Sequence, residues 1–226
     1  MGEVKGGSLM HKTQKSESFE IAVLLAIVGG FLDAYTYCCR DKVFANAQTG
    51  NFVRLAMALA NGEYILILRY LISILSFSFG ILVAINIRNK NFLKFHWRQI
   101  ILKVEIGIVV IVSFIPIRPI TNLAANVFVS FLCAMQAESF KKVLGHPFSS
   151  TMCTGNLRSG IEHLCYAVIK NDYQLLKHSA CYLVIIMSFI IGAFTGAHTT
   201  QVFLEKAILL TLIPIVLSIW NMNDVV

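Results

Sequence analysis

The sequence predicts an all-α integral membrane protein, and three observations support that prediction. Of the 226 residues, 57% are hydrophobic and 14% are charged, whereas soluble domains contain about 25% charged residues. The mean hydropathy is +0.71. The apolar residues form separate runs, two of which contain the same polar tripeptide, Thr-Gly-Asn, at positions 49–51 and 154–156. Such a chain cannot cover its surface with polar groups, so the runs are expected to lie in a bilayer.

The two tripeptides are part of a longer correspondence within the chain. They are 105 residues apart, and Asp33 and Glu138 are separated by the same offset. Each copy follows an apolar run that carries its acid near the end, and an arginine follows each copy. These matches predict an internal duplication, with repeat one at residues 19–117 and repeat two at residues 121–222.

The remaining elements can be placed in chain order. Residues 1–18 are polar, which predicts a disordered tail before a single transmembrane domain at 19–226. Six strongly apolar runs are the expected membrane spans. They comprise residues 19–37, 65–87, 104–117, 121–137, 180–197 and 202–220. Two weaker runs, 45–60 and 151–169, contain the tripeptides.

The weaker runs decide the topology. If they do not cross, each repeat has three crossings and the halves are inverted (3+3). If they do cross, there are eight helices in two parallel halves (4+4). Lysine and arginine concentrate in the tail, in residues 88–103 and in residues 141–177. Because basic segments stay in the cytoplasm, this distribution favours six crossings, two re-entrant segments and a cytoplasmic N-terminus.

Gly50 and Gly155 are the expected structural breaks of the two re-entrant segments. Glycine adopts positive φ at little cost. Irregular backbone at membrane depth is tolerated only where it is buried in protein or lines a wet cavity. In an inverted repeat the two breaks would face each other near the midplane, where transporter sites usually lie.

Asp33 and Glu138 are the strongest candidate site residues. An acid inside a membrane span is costly, and it can carry a proton or coordinate a cation. The alternative is that each acid only pairs with a nearby base. The candidate bases are Arg40 and Arg54 for the first acid, and Lys141 and Arg158 for the second.

Further candidates surround the breaks. Four side chains could supply oxygen atoms to an ion or small substrate, or could instead cap helices. These are Thr49, Asn51, Thr154 and Asn156. Arg54 and Arg158 could hold an anionic group, or could reach the interface or pair. Gln48 and Gln136 are weaker binding candidates that could instead form interhelical hydrogen bonds.

Several functional classes receive no support. The net charge of +7 comes from basic residues between apolar runs, which orient a membrane protein and do not indicate nucleic-acid binding. The six cysteines form no Cys-x-x-Cys pair, and no metal site or cofactor is expected. No nucleotide-binding loop, zinc signature or nucleophile elbow is present, so an enzyme is not expected.

Several motifs resemble a known family, the YoaK-type bacterial membrane proteins. They are GFLDA at 30–34, Phe44 with the first tripeptide, and AMQ at 134–136 with TMCTGNL at 151–157. The resemblance covers nearly the whole chain after the tail and implies a multi-spanning protein of the bacterial cell membrane. Many members carry Gln-Asn-Ala where this chain has Gln-Ala-Glu at 136–138, so the resemblance supports Asp33 more than Glu138.

The expected function is that of a small secondary transporter or permease of unknown substrate, with proton or cation coupling suggested by the two acids. The alternative is a membrane scaffold or sensor that transports nothing. Expected partners are the lipid bilayer, a small molecule or ion, and a second copy of the chain.

Overall fold

The computed structural model describes residues 15–89, 97–143, 146–147 and 153–223. These residues form eight α-helices, two 3-10 segments and one short antiparallel strand pair. The helices are α1 (Phe19–Cys39), α2 (Gln48–Asn61), α3 (Tyr64–Asn89), α4 (Trp97–Ser113), α5 (Pro119–Ser139), α6 (Cys153–Lys170), α7 (Tyr173–Phe203) and α8 (Leu212–Asn223). The 3-10 segments are Lys15–Glu17 and Leu204–Thr211, and the strands are β1 (Lys142–Val143) and β2 (His146–Pro147). Of the predicted disordered tail at 1–18, residues 1–14 lie outside the described residues. Residues 15–18 are ordered, because Lys15–Glu17 form a 3-10 helix and Glu17 pairs with Arg98 at 2.9 Å.

Four helical stretches in the described part of the chain are long and apolar enough to cross a membrane. They are Phe19–Cys39, Tyr64–Asn89, Pro119–Ser139 and Tyr173–Met222. Large apolar side chains on these stretches are exposed, among them Phe79, Ile120 and Phe194. An exposed apolar surface of this extent is the surface that lipid covers. The prediction of an all-α membrane protein is therefore confirmed.

Close helix packing depends on glycine. A Cβ added at Gly192 of α7 would lie 2.1 Å from the Ile27 carbonyl oxygen of α1, and one at Gly196 would lie 2.7 Å from the Phe31 carbonyl oxygen. A Cβ at Gly30 would lie 2.0 Å from the Phe189 carbonyl oxygen. Gly192 and Gly196 therefore form a small-residue packing face against α1. Helix α3 packs against α5 in a second close pair.

After α1 the chain turns back along the helix it has just left. The side-chain amide of Asn46 donates to the Gly29 carbonyl oxygen at 3.0 Å, seventeen positions earlier. Asp41 and Lys42 adopt positive φ, 66° and 62°, where the chain reverses. Helix α2 therefore begins beside the middle of α1. Its 14 residues extend about 21 Å.

Buried polar contacts close the two ends of the bundle. At one end Arg40 is fully buried and donates to the Tyr35 hydroxyl at 2.8 Å, the Ile115 carbonyl oxygen at 2.8 Å and the Asn122 side chain at 3.0 Å. At the other end Arg98 donates to the Ser139 carbonyl oxygen at 2.8 Å. These contacts join α1 with α4 and α5, and α4 with the end of α5.

The predicted span at 202–220 is interrupted. Helix α7 continues to Phe203, and Leu204 then adopts φ 50°, an unusual angle for a leucine. An eight-residue 3-10 segment follows before α8 begins at Leu212. Runs of 3-10 helix this long are uncommon, and within a helical stretch they often mark a hinge or a strained sequence. The predicted span at 104–117 corresponds to α4, which begins earlier, at Trp97.

Candidate functional site

A cavity of about 660 Å³ lies between α1, α3 and α7 and the first residues of α2 and α6. This volume is within the range of small-molecule sites. The aromatic side chains that line it come from α1, the turn before α2, α3 and α7. They are Tyr37, Phe44, Phe77 and Phe189. The polar lining residues are Asp33, Asn46, Gln48, Thr49 and Thr154.

The two Thr-Gly-Asn segments meet at this cavity. Thr49 lines it from the first turn of α2, and Thr154 and Gly155 line it from the first turn of α6. These segments are 105 positions apart in the sequence. This common cavity agrees with the expectation that the two segments face each other.

Asp33 connects the cavity to the turn that precedes α2. The side chain is 5% exposed, and Oδ1 accepts hydrogen bonds from the backbone N–H groups of Asn46 at 2.7 Å and Ala47 at 3.4 Å. Neither Arg40 nor Arg54 forms an ion pair with it within the described residues. Asp33 therefore orients the start of α2 and also presents a carboxyl group to the cavity.

Asn51 and Gln48 hold the same turn from inside the protein. The Asn51 side chain accepts from the Phe44 N–H at 3.0 Å, donates to the Phe44 carbonyl oxygen at 2.6 Å and donates to Gln48 Oε1 at 2.9 Å. Gln48 donates to the Ala45 carbonyl oxygen at 2.9 Å. Asn51 is fully buried and is not among the cavity-lining residues. Its contacts match the capping alternative, whereas Gln48 both braces the turn and lines the cavity.

Gly50 and Gly155 are helical, so the expectation that they break the helices is wrong. Gly62 is the glycine with positive φ in the described chain. A Cβ at Gly50 would lie 2.9 Å from the Phe44 ring, whereas one at Gly155 would meet no described atom within 4 Å. For α2 the irregular backbone lies before the helix, where the Asp33 carboxylate and the Asn51 side chain accept hydrogen bonds from backbone N–H groups.

The model of a family described as Protein of unknown function (DUF1275) matches residues 21–220. The chain belongs to this family. YoaK-like proteins are members of DUF1275, an uncharacterised membrane family, so the resemblance found in the sequence is confirmed. No curated protein and no solved structure matches the chain.

Arg54 of this DUF1275 protein lies beside the cavity. Its Nη2 donates to the Tyr37 hydroxyl at 3.0 Å, and its guanidinium group lies 5.1 Å from the Tyr37 ring centre and 5.7 Å from that of Phe44. The two rings stack at 4.9 Å. Arg54 therefore supports two aromatic walls of the cavity, and it places a positive charge close to them.

The candidates of the second half are more dispersed. Glu138 forms ion pairs with Lys141 at 2.5 Å and with Arg88 at 3.3 Å, so it pairs with one of its two predicted bases and with an arginine that was not predicted. Gln136 donates to the Leu25 carbonyl oxygen at 3.1 Å and joins α5 to α1. Asn156 is buried and Arg158 is exposed. None of these four lines the described cavity.

The sequence candidates omit several residues that the structure makes prominent. The aromatic walls and the α7 lining residues Ala193 and Ala197 are apolar, so their composition does not distinguish them from lipid-facing residues. Glu105 is different, because it is an acid within an apolar run, which is the signal that identified Asp33. Among the described residues, no group of three or more His, Cys, Asp or Glu side chains is arranged to hold a metal ion.

Proposed function

We propose that this protein is a small secondary transporter or permease of the bacterial cell membrane, and that its substrate occupies the cavity beside Asp33. The observation that carries the proposal is the meeting of the two tripeptide segments in one cavity that contains an intramembrane acid. Discontinuous helices whose N-termini face a central site are the usual construction of transporter binding sites.

The proposal includes an inverted repeat, and the contacts between helices are consistent with it. If α1 to α4 correspond to α5 to α8, each helix contact should have an equivalent contact in the other half. The α1–α7 contact is then equivalent to α5–α3, the α2–α3 contact to α6–α7, and the α4–α5 contact to α8–α1. All six pairs are in contact. Halves related in this way can rock against each other, which gives alternating access to a site between them.

Six crossings account best for the contacts of α2. Its start is beside the middle of α1, and its Arg54 contacts Tyr37 near the end of α1. Arg69, early in α3, pairs at 3.3 Å with Asp41, just after α1. These contacts favour a segment that enters and leaves on one side. A helix of about 21 Å is also shorter than the roughly 30 Å of hydrocarbon that a crossing must span.

The cavity favours a small amphipathic molecule over a bare ion. Its volume can hold many atoms, and its walls are mainly aromatic and aliphatic. A metal ion would need several oxygen ligands, whereas Asp33 is the carboxylate among the described lining residues. Asp33 can contact a polar group of the substrate, or take up the coupling proton or cation.

The test is a thermal-stability screen of the detergent-purified protein against a panel of metabolites. A compound that binds the folded state raises the melting temperature by an amount set by RT ln(1 + [L]/Kd). Thr154→Phe fills the cavity, whereas Leu157→Phe adds a similar ring to the same helix at a side chain that is 50% exposed and does not line the cavity.

We expect at least one compound to stabilise the natural protein and Leu157→Phe, but not Thr154→Phe. The same compound should cross liposome membranes that contain the protein. Equal stabilisation of both variants would place binding elsewhere and contradict the proposal.

A membrane scaffold or sensor is the second candidate. The specific observation in its favour is that the hydrogen bonds of Asp33 and Asn51 go mainly to backbone groups of the turn. In that case a compound could stabilise the protein without crossing the liposome membrane. Stabilisation without flux would therefore favour a sensor.

A further inference from the structure

We propose that Glu105 is a proton-binding site in the middle of α4 that exchanges its proton with the cavity. The residue lies eight positions from each end of the helix, about 12 Å from either end. Only the role of this proton in transport rests on the proposed function. The proton site itself rests on the surroundings of this side chain.

Glu105 has no polar partner in the described structure. The residue is fully buried, and neither carboxyl oxygen has a hydrogen-bond partner among the described residues. Its neighbours on α4 include the buried apolar residues Ile101, Leu102 and Ile108. An ionised carboxylate without donors is very costly in such surroundings, so the group is held as the neutral acid.

The titratable group that approaches Glu105 from α5 is Cys133. This fully buried thiol is within electrostatic range of both Glu105 and Asp33. Asp33 in turn lines the cavity. Cys133 is therefore the buried polar group that relates the acid of the cavity to Glu105.

The other elements packed against α4 present no charged side chain to this buried region in the described chain. The buried residues of the 3-10 segment are Ala207, Ile208 and Thr211, and those of α8 are Ile215 and Ser218. The buried residues of α3 are Tyr70, Ser73, Gly80 and Ala84. On α4 itself, Lys103 is exposed, and Arg98 contacts Ser139 at the end of the bundle.

The exchange is a simple proton transfer. When rearrangement of the two halves admits water from the cavity, the Glu105 O–H bond breaks, the proton passes to water and a carboxylate remains. When the halves return, the carboxylate takes a proton back and is again neutral. Asp33 and Glu105 would then form two sites in series for a coupling proton.

Infrared difference spectroscopy tests the proposal without any substrate. The spectrum of Glu105→Gln is subtracted from that of the natural protein at neutral pH, in H₂O and after transfer to D₂O. We expect the C=O stretching band of a protonated carboxylic acid, and we expect this band to shift in D₂O as the proton exchanges. Carboxylate bands in its place, or an acid band that never shifts, would overturn the proposal.

Two cysteine variants test the route. Cys133→Ala removes the thiol between Asp33 and Glu105, whereas Cys181→Ala changes a partly exposed thiol on α7. We expect Cys133→Ala to slow the shift of the acid band several-fold and Cys181→Ala to leave its rate unchanged. Equal rates in both variants would contradict exchange through the cavity. A metabolite screen that finds no ligand would leave both infrared tests valid, because the spectra are recorded without a transported compound.

A pH series provides a second readout. A carboxyl group that is neutral in the folded protein and ionised in the unfolded protein takes up a proton on folding. Its contribution to the stability of the folded state is therefore complete below about pH 4.3, the usual pKa of glutamate, and is lost as the pH rises. The unfolding equilibrium constant should then rise up to about tenfold per pH unit more steeply in the natural protein than in Glu105→Gln. Identical pH dependence in the two proteins would overturn the neutral acid.

Discussion

Asp33 combines two roles that a single substitution can separate. Its Oδ1 accepts two backbone hydrogen bonds from the turn before α2, and the same carboxyl group faces the cavity. An asparagine can still accept the backbone hydrogen bonds but carries no charge and cannot titrate. The structural role should therefore survive in asparagine and be lost in alanine.

We expect Asp33→Asn to fold with a loss of about 1–2 kcal/mol, because charge-assisted hydrogen bonds become neutral ones. Asp33→Ala should lose about 2 kcal/mol more, since it leaves backbone N–H groups without their acceptor. Melting temperatures in detergent measure both effects. Asp33→Asn should also abolish flux of any transported compound into liposomes. A well-folded Asp33→Asn protein with unchanged flux would rule out the transport role of this acid.

Glu138→Gln provides the comparison from the second half. Glu138 is engaged with Lys141 and Arg88 and does not line the described cavity. We therefore expect a smaller effect on flux than that of Asp33→Asn, measured in the same liposomes. A greater effect on flux would mean that the acid at the end of α5 is the more important one.

Arg40 is the residue on which one end of the bundle depends. Its guanidinium group donates to a hydroxyl, an amide and backbone carbonyl oxygens from three helix ends. A lysine keeps the charge but cannot reproduce this planar set of donors. We expect Arg40→Lys to lower stability by roughly 3 kcal/mol, seen as lower yield and melting temperature. The exposed Arg158→Lys is the control, and equal melting temperatures in the two variants would contradict the role of Arg40.

Residue-level features differ in how far the sequence predicts them. Asp33 and the tripeptides are predictable because polar groups stand out in apolar runs. The aromatic cavity walls are not, because apolar residues facing lipid and those facing a cavity have the same composition. The partners of Arg40 on other helices are also not predictable, since Ile115 and Asn122 are 75 and 82 positions away.

At the scale of elements, glycine controls how closely α1 and α7 approach. Adding a Cβ at Gly192 places it 2.1 Å from a backbone oxygen, which cannot move as a side chain can. We expect Gly192→Ala to cost about 1–3 kcal/mol because the helices must separate. Gly107→Ala is the matched control, since it is also helical and a Cβ there meets no described atom within 4 Å.

The control should be neutral or stabilising by up to about 1 kcal/mol, because alanine favours helix over glycine. Melting temperatures of the two variants in one detergent measure the difference. If Gly192→Ala is tolerated as well as Gly107→Ala, the close approach of the two helices is not required for stability.

The turn before α2 shows why element boundaries were predicted imperfectly. Glycine is the usual residue for positive φ, so the sequence placed the break at Gly50. The chain instead reverses at Asp41 and Lys42, both with positive φ. Aspartate tolerates this region better than most residues, and Asp41 also pairs with Arg69. These tertiary contacts are not visible in the sequence around the turn.

At the scale of the whole molecule, the duplicated tripeptide identified two segments that both line one cavity. The proposed repeat accounts for the contacts of α1 with α7 and of α3 with α5, because equivalent helices in two halves make equivalent contacts. The 3-10 segment at Leu204–Thr211 departs from that proposed repeat, in which it would correspond to part of helix α4. The charged pair Glu205-Lys206 lies near the start of the apolar run at 202–220 and within this 3-10 segment, so the sequence does indicate the interruption.

The topology is the prediction that tests the whole arrangement. Six crossings place the N-terminus, the α6–α7 turn at Asn171 and the C-terminus in the cytoplasm, and Ile117 outside. Arg88, Arg98 and Lys141 lie at the cytoplasmic end in this arrangement, as basic residues near spans usually do. Eight crossings also place Ile117 outside, but move Asn171 and the C-terminus outside with it.

Reporter fusions after Ile117, after Asn171 and at the C-terminus distinguish the two arrangements. One reporter enzyme is active only in the cytoplasm, and the other only outside. We expect the last two fusions to report the cytoplasm and the first to report the opposite side. If all three report the outside, α2 and α6 cross the membrane, and the two tripeptide segments cannot be re-entrant.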